Sequence, residues 1–189
     1  TFNHRCINRK ELGDILGQKT HPVGFRLQIN KNWKSTWFTE NSFASELESD
    51  VKIRKYLKAR LPNAGISKVD ISRTSKNITI TIYTARPGIV IGKGGEEVNR
   101  LKDEVKQLTS DPLKSGKNTK SVQINISEIK RPELDAALVG ANIAHQLQKK
   151  VSYRRVVSKV IQSTMRMGAE GIRVNIAGRL GGAEIARSE

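Results

Sequence analysis

A loop of almost bare backbone, Gly92-Lys93-Gly94-Gly95, interrupts two segments with regularly placed apolar residues. Glycine lacks a Cβ atom, so such a loop reaches backbone angles that other residues avoid and lets a bulky group approach the main chain. It is therefore either a plain tight turn or a place where a ligand meets the backbone. The helices and strands predicted on either side of the loop indicate which fold it belongs to.

Regular patterns surround the loop. A helix before it is predicted from apolar positions at Leu47, Val51, Ile53, Leu57 and Leu61, and Pro62 ends it. Alternating runs at 69–73 and 78–83 predict a β-hairpin, and a third at 122–126 predicts another strand. Steps of three and four residues predict a helix right after the loop, with apolar positions at Val98, Leu101, Val105 and Leu108. The order helix, strand, strand, short helix, glycine loop, helix, strand predicts one compact α+β unit.

The position of the loop at a helix start favours phosphate. The first N–H groups of a helix are free and its dipole is positive there, while Lys93 adds a charge at the tip. Glu96 and Glu97 partly cancel this effect. The nucleotide-binding alternatives fail, because the chain has no G-x-x-x-x-G-K-[ST] and this loop lacks the third glycine of G-x-G-x-x-G. The G-x-x-G form in this context resembles that of KH domains, whose loop clamps an RNA backbone. We therefore expect Gly92, Lys93, Gly94 and Gly95 to bind RNA.

The charge of the chain agrees with a polyanionic partner. Lys and Arg number 34 against 18 Asp and Glu, which gives +16 over 189 residues. Such an excess most often serves nucleic acid. A membrane surface is the other polyanion, but no apolar run approaches the ~20 residues of a spanning helix, and no signal peptide or lipidation motif occurs. We expect no membrane partner.

Enzyme chemistry has little support. His4, His21 and His145 are scattered along the chain, and no nucleophile has a partner in sequence. Cys6 is alone, which leaves no disulfide framework or thiolate metal site and suits a reducing cytosol. We expect no catalytic residue, metal or cofactor.

A second unit is predicted from residue 131 onward. It has a helix with apolar positions at Leu134, Ala137, Leu138, Ala141, Ala144, Leu147 and Val151, with His145 packed on it. Another helix spans about 153–167, with Val156, Val157, Val160, Ile161 and Met165 inward. Ile172, Val174 and Ile176 alternate as a strand. A lone strand leaves its backbone groups unpaired, so we expect the natural protein to continue past Glu189, or this half to dock elsewhere.

One face of the second helix is strongly basic. No acidic residue occurs from 136 to 169, whereas this stretch includes Lys149, Lys150, Arg154, Arg155, Lys159 and Arg166. Arg155, Lys159, Gln162 and Arg166 step by four, three and four residues and share one face. Helix charges are usually just solvated, but six cations without compensating acids can follow phosphates.

Five ordered segments carry a wider resemblance. They are GQKTHPVGFRL, ARPGIVIGKGGEEVNRLK, IKRPELDAALV, YRRVV and GRLGGAEIARSE. From about Gly17 to its end the chain closely resembles the bacterial-type family of the third small-subunit ribosomal protein. The resemblance implies a type II KH domain followed by a C-terminal α/β domain that is incomplete here. It also implies binding to small-subunit rRNA in the head, contact with neighbouring head proteins and with mRNA at the channel entrance, and a place on a cytoplasmic or organellar ribosome. Further RNA contacts are implied for residues in these segments, namely Gln18, Lys19, His21, Arg26 and Arg179.

The resemblance also divides the chain and exposes departures. We expect an extra segment at 1–16, an arm that orders on a partner at 17–42, the KH domain at 43–130 and the C-terminal domain at 131–189. The loop 110–120 is longer than the family's, and Gly94 stands where a lysine is common. Ser158 stands where the family has a basic residue after its two arginines, with Lys159 next to it. A free-standing KH regulator of transcription or of small RNAs is the alternative, and it would not sediment with small subunits.

Overall fold

The computed structural model describes residues 19–109 and 121–189, which form two compact units divided after Trp33. Three sequence predictions lie outside the described residues: the extra segment 1–16, the RNA contact of Gln18 and the long loop 110–120. Over the described residues, no helix has both the length and the apolar character needed to cross a membrane.

The first unit is small and exposed where it is described. Its helix α1 (Pro22–Phe25) begins after His21, whose Nδ1 accepts a hydrogen bond from the Gly24 N–H at 3.3 Å. Pro22 suits the first helical position because its missing N–H would have had no partner there. Trp33, the last residue of this unit, is exposed.

A four-stranded sheet forms the centre of the second unit. Its strands lie in the order β1 (Ser35–Thr36), β2 (Ile66–Arg73), β3 (Asn77–Thr84) and β4 (Ser121–Glu128). β2 and β3 are antiparallel, whereas β1 pairs parallel with β2 and β4 parallel with β3. The register places Ile71 opposite Ile80 and Ile80 opposite Ile124 on the buried face. The predicted hairpin and third strand are confirmed. β1 was not predicted, since two residues are too short to show a period.

Parallel neighbours need a crossover connection, and the glycine loop lies in the one between β3 and β4. This crossover contains α3 (Pro87–Ile91), a 3-10 turn at Lys93–Gly95 and α4 (Glu96–Thr109). Val90 from α3 and Leu101 and Val105 from α4 are buried against the sheet. The predicted element order is therefore confirmed.

The first long helix, α2 (Phe43–Arg60), packs on the same side of the sheet with an unexpected face. Ile53 and Leu57 are buried as predicted, and Pro62 follows just beyond the helix end. The predicted burial of Leu47 and Val51 is wrong, since both are 41 % exposed. Asp50 is buried in their place.

The burial of Asp50 has a clear cause in hydrogen bonding. Its Oδ1 accepts from Arg73 Nε at 2.8 Å, and its Oδ2 accepts from Ser35 Oγ at 2.7 Å and Trp37 Nε1 at 2.9 Å. Arg73 also bonds Glu46 and donates to Ser49 Oγ at 2.9 Å. A buried charge is tolerated only when it is paired and hydrogen-bonded. This network therefore turns the Asp50 side of α2 inward and fastens β1 to the sheet.

Two further helices follow the KH-like order of elements. α5 (Ala136–Gln148) begins at Asp135, whose carboxylate accepts the Ala137 N–H at 2.9 Å. α6 (Tyr153–Arg166) packs on α5 through Val156 and Val160, which cluster with Ile143. Predicted burial is wrong at Leu134, Ala137, Ala141, Ala144, Val151 and Met165, all of which are exposed, as is His145. Thr164 is buried one turn beyond Val160, where Met165 was expected.

The chain after α6 only partly follows its prediction. Ile172, Val174 and Ile176 alternate with exposed residues and pack on α5 and α6, so the side-chain alternation is right. The predicted strand is wrong at Ile172 and Val174, where no strand is assigned. The strands instead are β5 (Ala177–Gly178) and β6 (Arg187–Ser188), which pair antiparallel, and Ile176 exchanges two backbone hydrogen bonds with Glu189.

Candidate nucleic-acid interface

The glycine loop has a backbone that other residues would strain. Gly92, Gly94 and Gly95 have φ of +70°, +64° and +81°, which is the left-handed region. A Cβ on Gly92 would lie 2.6 Å from Glu97 Cγ, so glycine is required there by space as well as by angle. A Cβ on Gly94 or Gly95 would meet nothing within 4 Å. The loop is therefore open to solvent on the side where a ligand backbone could approach.

Charge at the loop is divided between its tip and the helix start. Lys93 is exposed at the tip. Glu96 and Glu97, in the first turn of α4, lie 3.7 Å and 3.4 Å from Arg100. Arg60 also lies 3.6 Å from Glu97. These cations offset the two carboxylates, so the tip keeps its positive character.

Two apolar side chains beside the loop were missed by sequence reasoning. Ile89 and Ile91 on α3 are 43 % and 42 % exposed, while Val90 between them is fully buried. Three consecutive apolar residues in so short a helix show no helical period, so the sequence cannot tell which of them is buried. The structure shows that Val90 is buried and that Ile89 and Ile91 are exposed. Ile89 and Ile91 therefore form an exposed apolar surface next to the glycine loop.

The helix after the loop is held in place by α2. Tyr56 on α2 donates its hydroxyl proton to Glu104 on α4, and Arg60 lies 3.9 Å from the same carboxylate. Burial and then the hydrogen bond to Glu104 raise the pKa of Tyr56 above its ordinary value. Tyr56 therefore stays a neutral donor at physiological pH. This contact fixes the direction of the α4 axis, and with it the N–H groups that follow the loop.

The basic face of α6 is exposed. Arg155, Lys159 and Arg166 point away from the buried Val156 and Val160, and within the described residues none of the three has an acidic partner. Arg154 differs, because its Nε donates to the Tyr153 hydroxyl at 3.1 Å and its guanidinium lies 3.8 Å from Glu189. The hydrogen bond to Tyr153 raises the pKa of Arg154. Sequence spacing could not show that Glu189 reaches this helix.

The turn between α5 and α6 adds two exposed lysines. Lys150 has φ of +58°, a conformation that glycine usually fills at the end of a helix, and its N–H bonds the Leu147 carbonyl at 2.9 Å. A non-glycine residue there costs about 1 kcal/mol. Lys149 precedes it and bonds the His145 carbonyl through its own N–H. The structure thus brings Lys149, Lys150, Arg154 and Arg155 to one end of the helix pair.

The other predicted contacts belong to other segments of the chain. Lys19, His21 and Arg26 are exposed in the first unit, where Arg26 Nη1 donates to the Pro22 carbonyl at 3.1 Å. Arg179 is exposed, and its Nε donates to the Ala183 carbonyl at 2.9 Å across a glycine-rich turn. Arg26 and Arg179 therefore also shape their own loops. Within residues 19–109 and 121–189, no group of His, Cys, Asp and Glu could hold a metal ion.

Comparison with known proteins agrees with this arrangement. The family model "KH domain" matches residues 52–134, and "Ribosomal protein S3, C-terminal domain" matches residues 143–189. "Small ribosomal subunit protein uS3" of Cytophaga hutchinsonii is 53 % identical over 92 % of this chain and 65 % of its own length. Its counterpart in Flavobacterium johnsoniae is 55 % identical, with 92 % and 66 % covered. That of Salinibacter ruber is 51 % identical, with 92 % and 70 % covered. This chain belongs to the uS3 family.

Family membership settles two predictions. The resemblance drawn from five short segments is confirmed, and so is the fold class, an α+β KH domain followed by a second domain of the uS3 type. The chain spans about two thirds of the length of the Cytophaga and Flavobacterium relatives.

Proposed function

We propose that this chain is a non-enzymatic, RNA-binding structural component of the small ribosomal subunit. The observation that carries the proposal is the solvent-open glycine loop with left-handed φ values in the β3–β4 crossover of a KH domain. The net charge of +16 supports a polyanionic partner, and the names of the relatives point to the ribosome. Its main partner would be small-subunit rRNA, and its place the ribosome of the cytoplasm or of an organelle.

Finer assignments belong to the same proposal. The glycine loop and the six cations from Lys149 to Arg166 would contact RNA, and so would Lys19, His21, Arg26 and Arg179. The α6 face would lie near mRNA at the channel entrance, and neighbouring head proteins would complete the surroundings. The division into 1–16, 17–42, 43–130 and 131–189 is proposed with it.

Sedimentation tests the proposal. The labelled full chain is mixed with small subunits that were salt-stripped of their own uS3 and is run through a sucrose gradient. We expect it to move with the subunit peak. A chain that stays in the light fractions, while still binding free RNA, would instead be the KH regulator of the alternative hypothesis.

The α6 face should bind phosphates without recognising sequence. Replacing Arg155 and Lys159 with Ala removes two exposed, acid-free cations. A cation that neutralises a phosphate releases counterions from the RNA on binding. Each contact that is lost should therefore flatten the slope of log K against log salt by about 0.7 to 0.9. We expect similarly weaker binding for unrelated RNA sequences, measured by fluorescence anisotropy at several salt concentrations.

The control is Lys55→Ala with Lys58→Ala, which removes the same charge from exposed positions on α2. It should leave the salt slope almost unchanged. If Arg155→Ala with Lys159→Ala keeps the wild-type slope, the α6 face is only solvated and its proposed role is wrong.

Ser158 offers a gain-of-function test. It is exposed on α6 beside Lys159 and one turn after Arg154, so Ser158→Lys adds a cation next to those already present. We expect tighter RNA binding and a salt slope steeper by about 0.7 to 0.9. In reconstituted ribosomes, passage through an mRNA hairpin at the channel entrance should be faster. An unchanged hairpin rate alongside tighter RNA binding would count against the placement at the entrance.

A further inference from the structure

An acidic side chain packs against the glycine loop, where its charge alone would oppose RNA. A Cβ on Gly92 would lie 2.6 Å from Glu97 Cγ and 2.8 Å from Glu97 Cβ, and the next atom would be the Glu97 backbone nitrogen at 3.4 Å. Glu97 therefore closes the inner side of the loop at Gly92. A Cβ on Gly94 or Gly95 would meet nothing within 4 Å, so the loop is open at these two glycines.

The carboxylate of Glu97 connects this contact to α2. Its Oε2 lies 3.6 Å from Nη2 of Arg60, the last residue of α2, and its Oε1 lies 3.4 Å from Nη1 of Arg100. Arg60 Nε in turn lies 3.9 Å from Glu104, whose carboxylate accepts a hydrogen bond from the Tyr56 hydroxyl. Because α2 is packed into the hydrophobic core, these contacts give the loop a fixed support.

Glu96 provides a comparison within the same helix turn. Glu96 and Glu97 are both in the first turn of α4, and either carboxylate favours the positive end of the helix. The Glu96 side chain is 75 % exposed and lies 3.7 Å from Arg100. The Glu97 side chain is 32 % exposed and also reaches Arg60. Two acids of equal charge therefore differ in their contacts with Gly92 and with α2.

We propose that Glu97 is a positioning residue for RNA binding, which holds the glycine loop in the conformation that receives a phosphate. Glycine adopts many backbone angles, so a loop whose three glycines have φ between +64° and +81° would otherwise lose much conformational freedom on binding. A loop that is fixed before binding avoids this loss. The benefit exceeds the repulsion from the Glu97 charge, because two arginines offset that charge. This inference deepens the proposed function and rests on it.

The first test compares the two acids by the affinity of the full chain for an rRNA fragment, measured by fluorescence anisotropy. Glu97→Ala removes a negative charge, yet we expect it to weaken RNA binding about threefold or more, because the loop loses its support. The matched control Glu96→Ala removes the same charge from the same helix turn and should bind RNA at least as tightly as the wild type. Glu97→Gln keeps the side chain over Gly92 and an oxygen that accepts hydrogen bonds, so it should restore the wild-type affinity.

Loop mobility gives a measurement that does not depend on RNA. In the RNA-free protein, the NMR order parameters of the Gly94 and Gly95 N–H groups should fall toward about 0.6 in Glu97→Ala, the upper limit for flexible backbone. They should keep their wild-type values in Glu96→Ala and in Glu97→Gln. Thermal unfolding of each variant, followed by circular dichroism, separates this local change from a loss of the fold.

The contact with α2 is tested by Arg60→Ala against Lys58→Ala, since both remove one exposed cation from the last turn of α2. Arg60→Ala should weaken RNA binding about threefold more than Lys58→Ala. It should leave the slope of log K against log salt unchanged, whereas a direct phosphate contact of Arg60 would flatten that slope by about 0.7 to 0.9. If Glu97→Ala does not fold, this comparison decides, and equal losses in the two variants overturn the proposal.

The proposal is also overturned if a folded Glu97→Ala binds RNA at least as tightly as the wild type, because Glu97 then acts only through its charge. Equal losses in Glu97→Ala and Glu96→Ala would overturn it as well, since both acids would then act through the helix end. So would weaker RNA binding without a change in loop mobility. Unchanged RNA binding in Lys93→Asp with Gly94→Asp would instead show that the loop does not bind RNA, which is a failure of the proposed function.

Discussion

Replacing Lys93 and Gly94 with Asp is expected to weaken RNA binding about tenfold or more while the fold stays intact. The change removes one positive charge and adds two negative ones at an exposed tip. Each such charge near a phosphate is worth on the order of 1 kcal/mol at 4 Å in water, before screening by salt. Three of them together exceed the 1.4 kcal/mol that corresponds to a tenfold change, even after a discount for screening.

The backbone should accept this change. A Cβ on Gly94 meets nothing within 4 Å, and Asp tolerates its left-handed φ of +64° at a cost of about 1 kcal/mol. Circular dichroism and thermal unfolding should therefore show a folded protein, while filter binding to an rRNA fragment shows the loss. Gly92→Ala is a poor substitute, because the contact with Glu97 would disturb the fold itself.

A matched control lies at the other end of β3. Ser75→Asp with Lys76→Asp changes the charge by the same amount in the exposed β2–β3 turn. This turn precedes β3, whereas the glycine loop comes after both β3 and α3, so the eight-residue strand and the short helix separate the two sites along the chain. We expect little effect on RNA binding from the control. Equal losses in both variants would mean that net charge, not the loop, determines affinity.

The order of elements could be predicted from sequence because each element depends on local patterns. Ile78, Ile80 and Ile82 alternate and are buried, since one face of the sheet meets the helices. Glycines mark the loop because they adopt its left-handed angles at the lowest cost. These signals are local, and they agree with the fold that long-range contacts produce.

The buried face of α2 could not be predicted in the same way. The apolar residues Leu47 and Val51 share a stripe, yet the side with Asp50 faces the sheet. The cause is Arg73, which lies 23 residues away and pairs with Asp50 in the interior. The spacing of apolar residues cannot predict that Asp50 is buried, because the burial depends on Arg73, which is distant in sequence. Tertiary pairing here overrides local pattern.

The candidate site, too, has features that local sequence predicts and features that depend on distant contacts. Sequence spacing predicts that Arg155, Lys159 and Arg166 share a face, because helical geometry alone decides it. It does not predict that Arg154 contacts Tyr153 and Glu189, since that depends on where the chain after α6 lies. Nor does it predict the missing ladder at Ile172 and Val174. The alternation of apolar and polar residues indicates which side chains are buried. A β-strand also needs a neighbouring strand to which its backbone can hydrogen-bond.

Replacing Asp50 with Ala is expected to lower the free energy of unfolding by about 3–5 kcal/mol, the range for breaking a buried ion pair. The side chain of Arg73 is only 4 % exposed, so its charge would remain in the interior with Glu46 as its remaining acidic partner. Ser35 and Trp37 would each lose an acceptor as well. Urea unfolding followed by circular dichroism measures the loss. Asp103→Ala, which breaks an exposed pair with Lys106, is the control and should cost less than about 1 kcal/mol.

The same substitution should release β1 before the whole domain unfolds. Ser35 is the first residue of this two-residue strand and Trp37 directly follows it, and both are bound to Asp50. In a Trp33→Phe background, the remaining Trp37 should show red-shifted fluorescence in Asp50→Ala under native conditions, because its indole gains solvent. Asp50→Leu with Arg73→Met removes both buried charges, so it should recover part of the stability but not the Trp37 signal. A double variant no more stable than Asp50→Ala would show that the hydrogen bonds to Ser35 and Trp37, and not the uncompensated charge of Arg73, dominate the loss. A stability change below about 1 kcal/mol in Asp50→Ala would mean that water replaces the carboxylate, and that the Asp50 network does not hold β1 in the sheet.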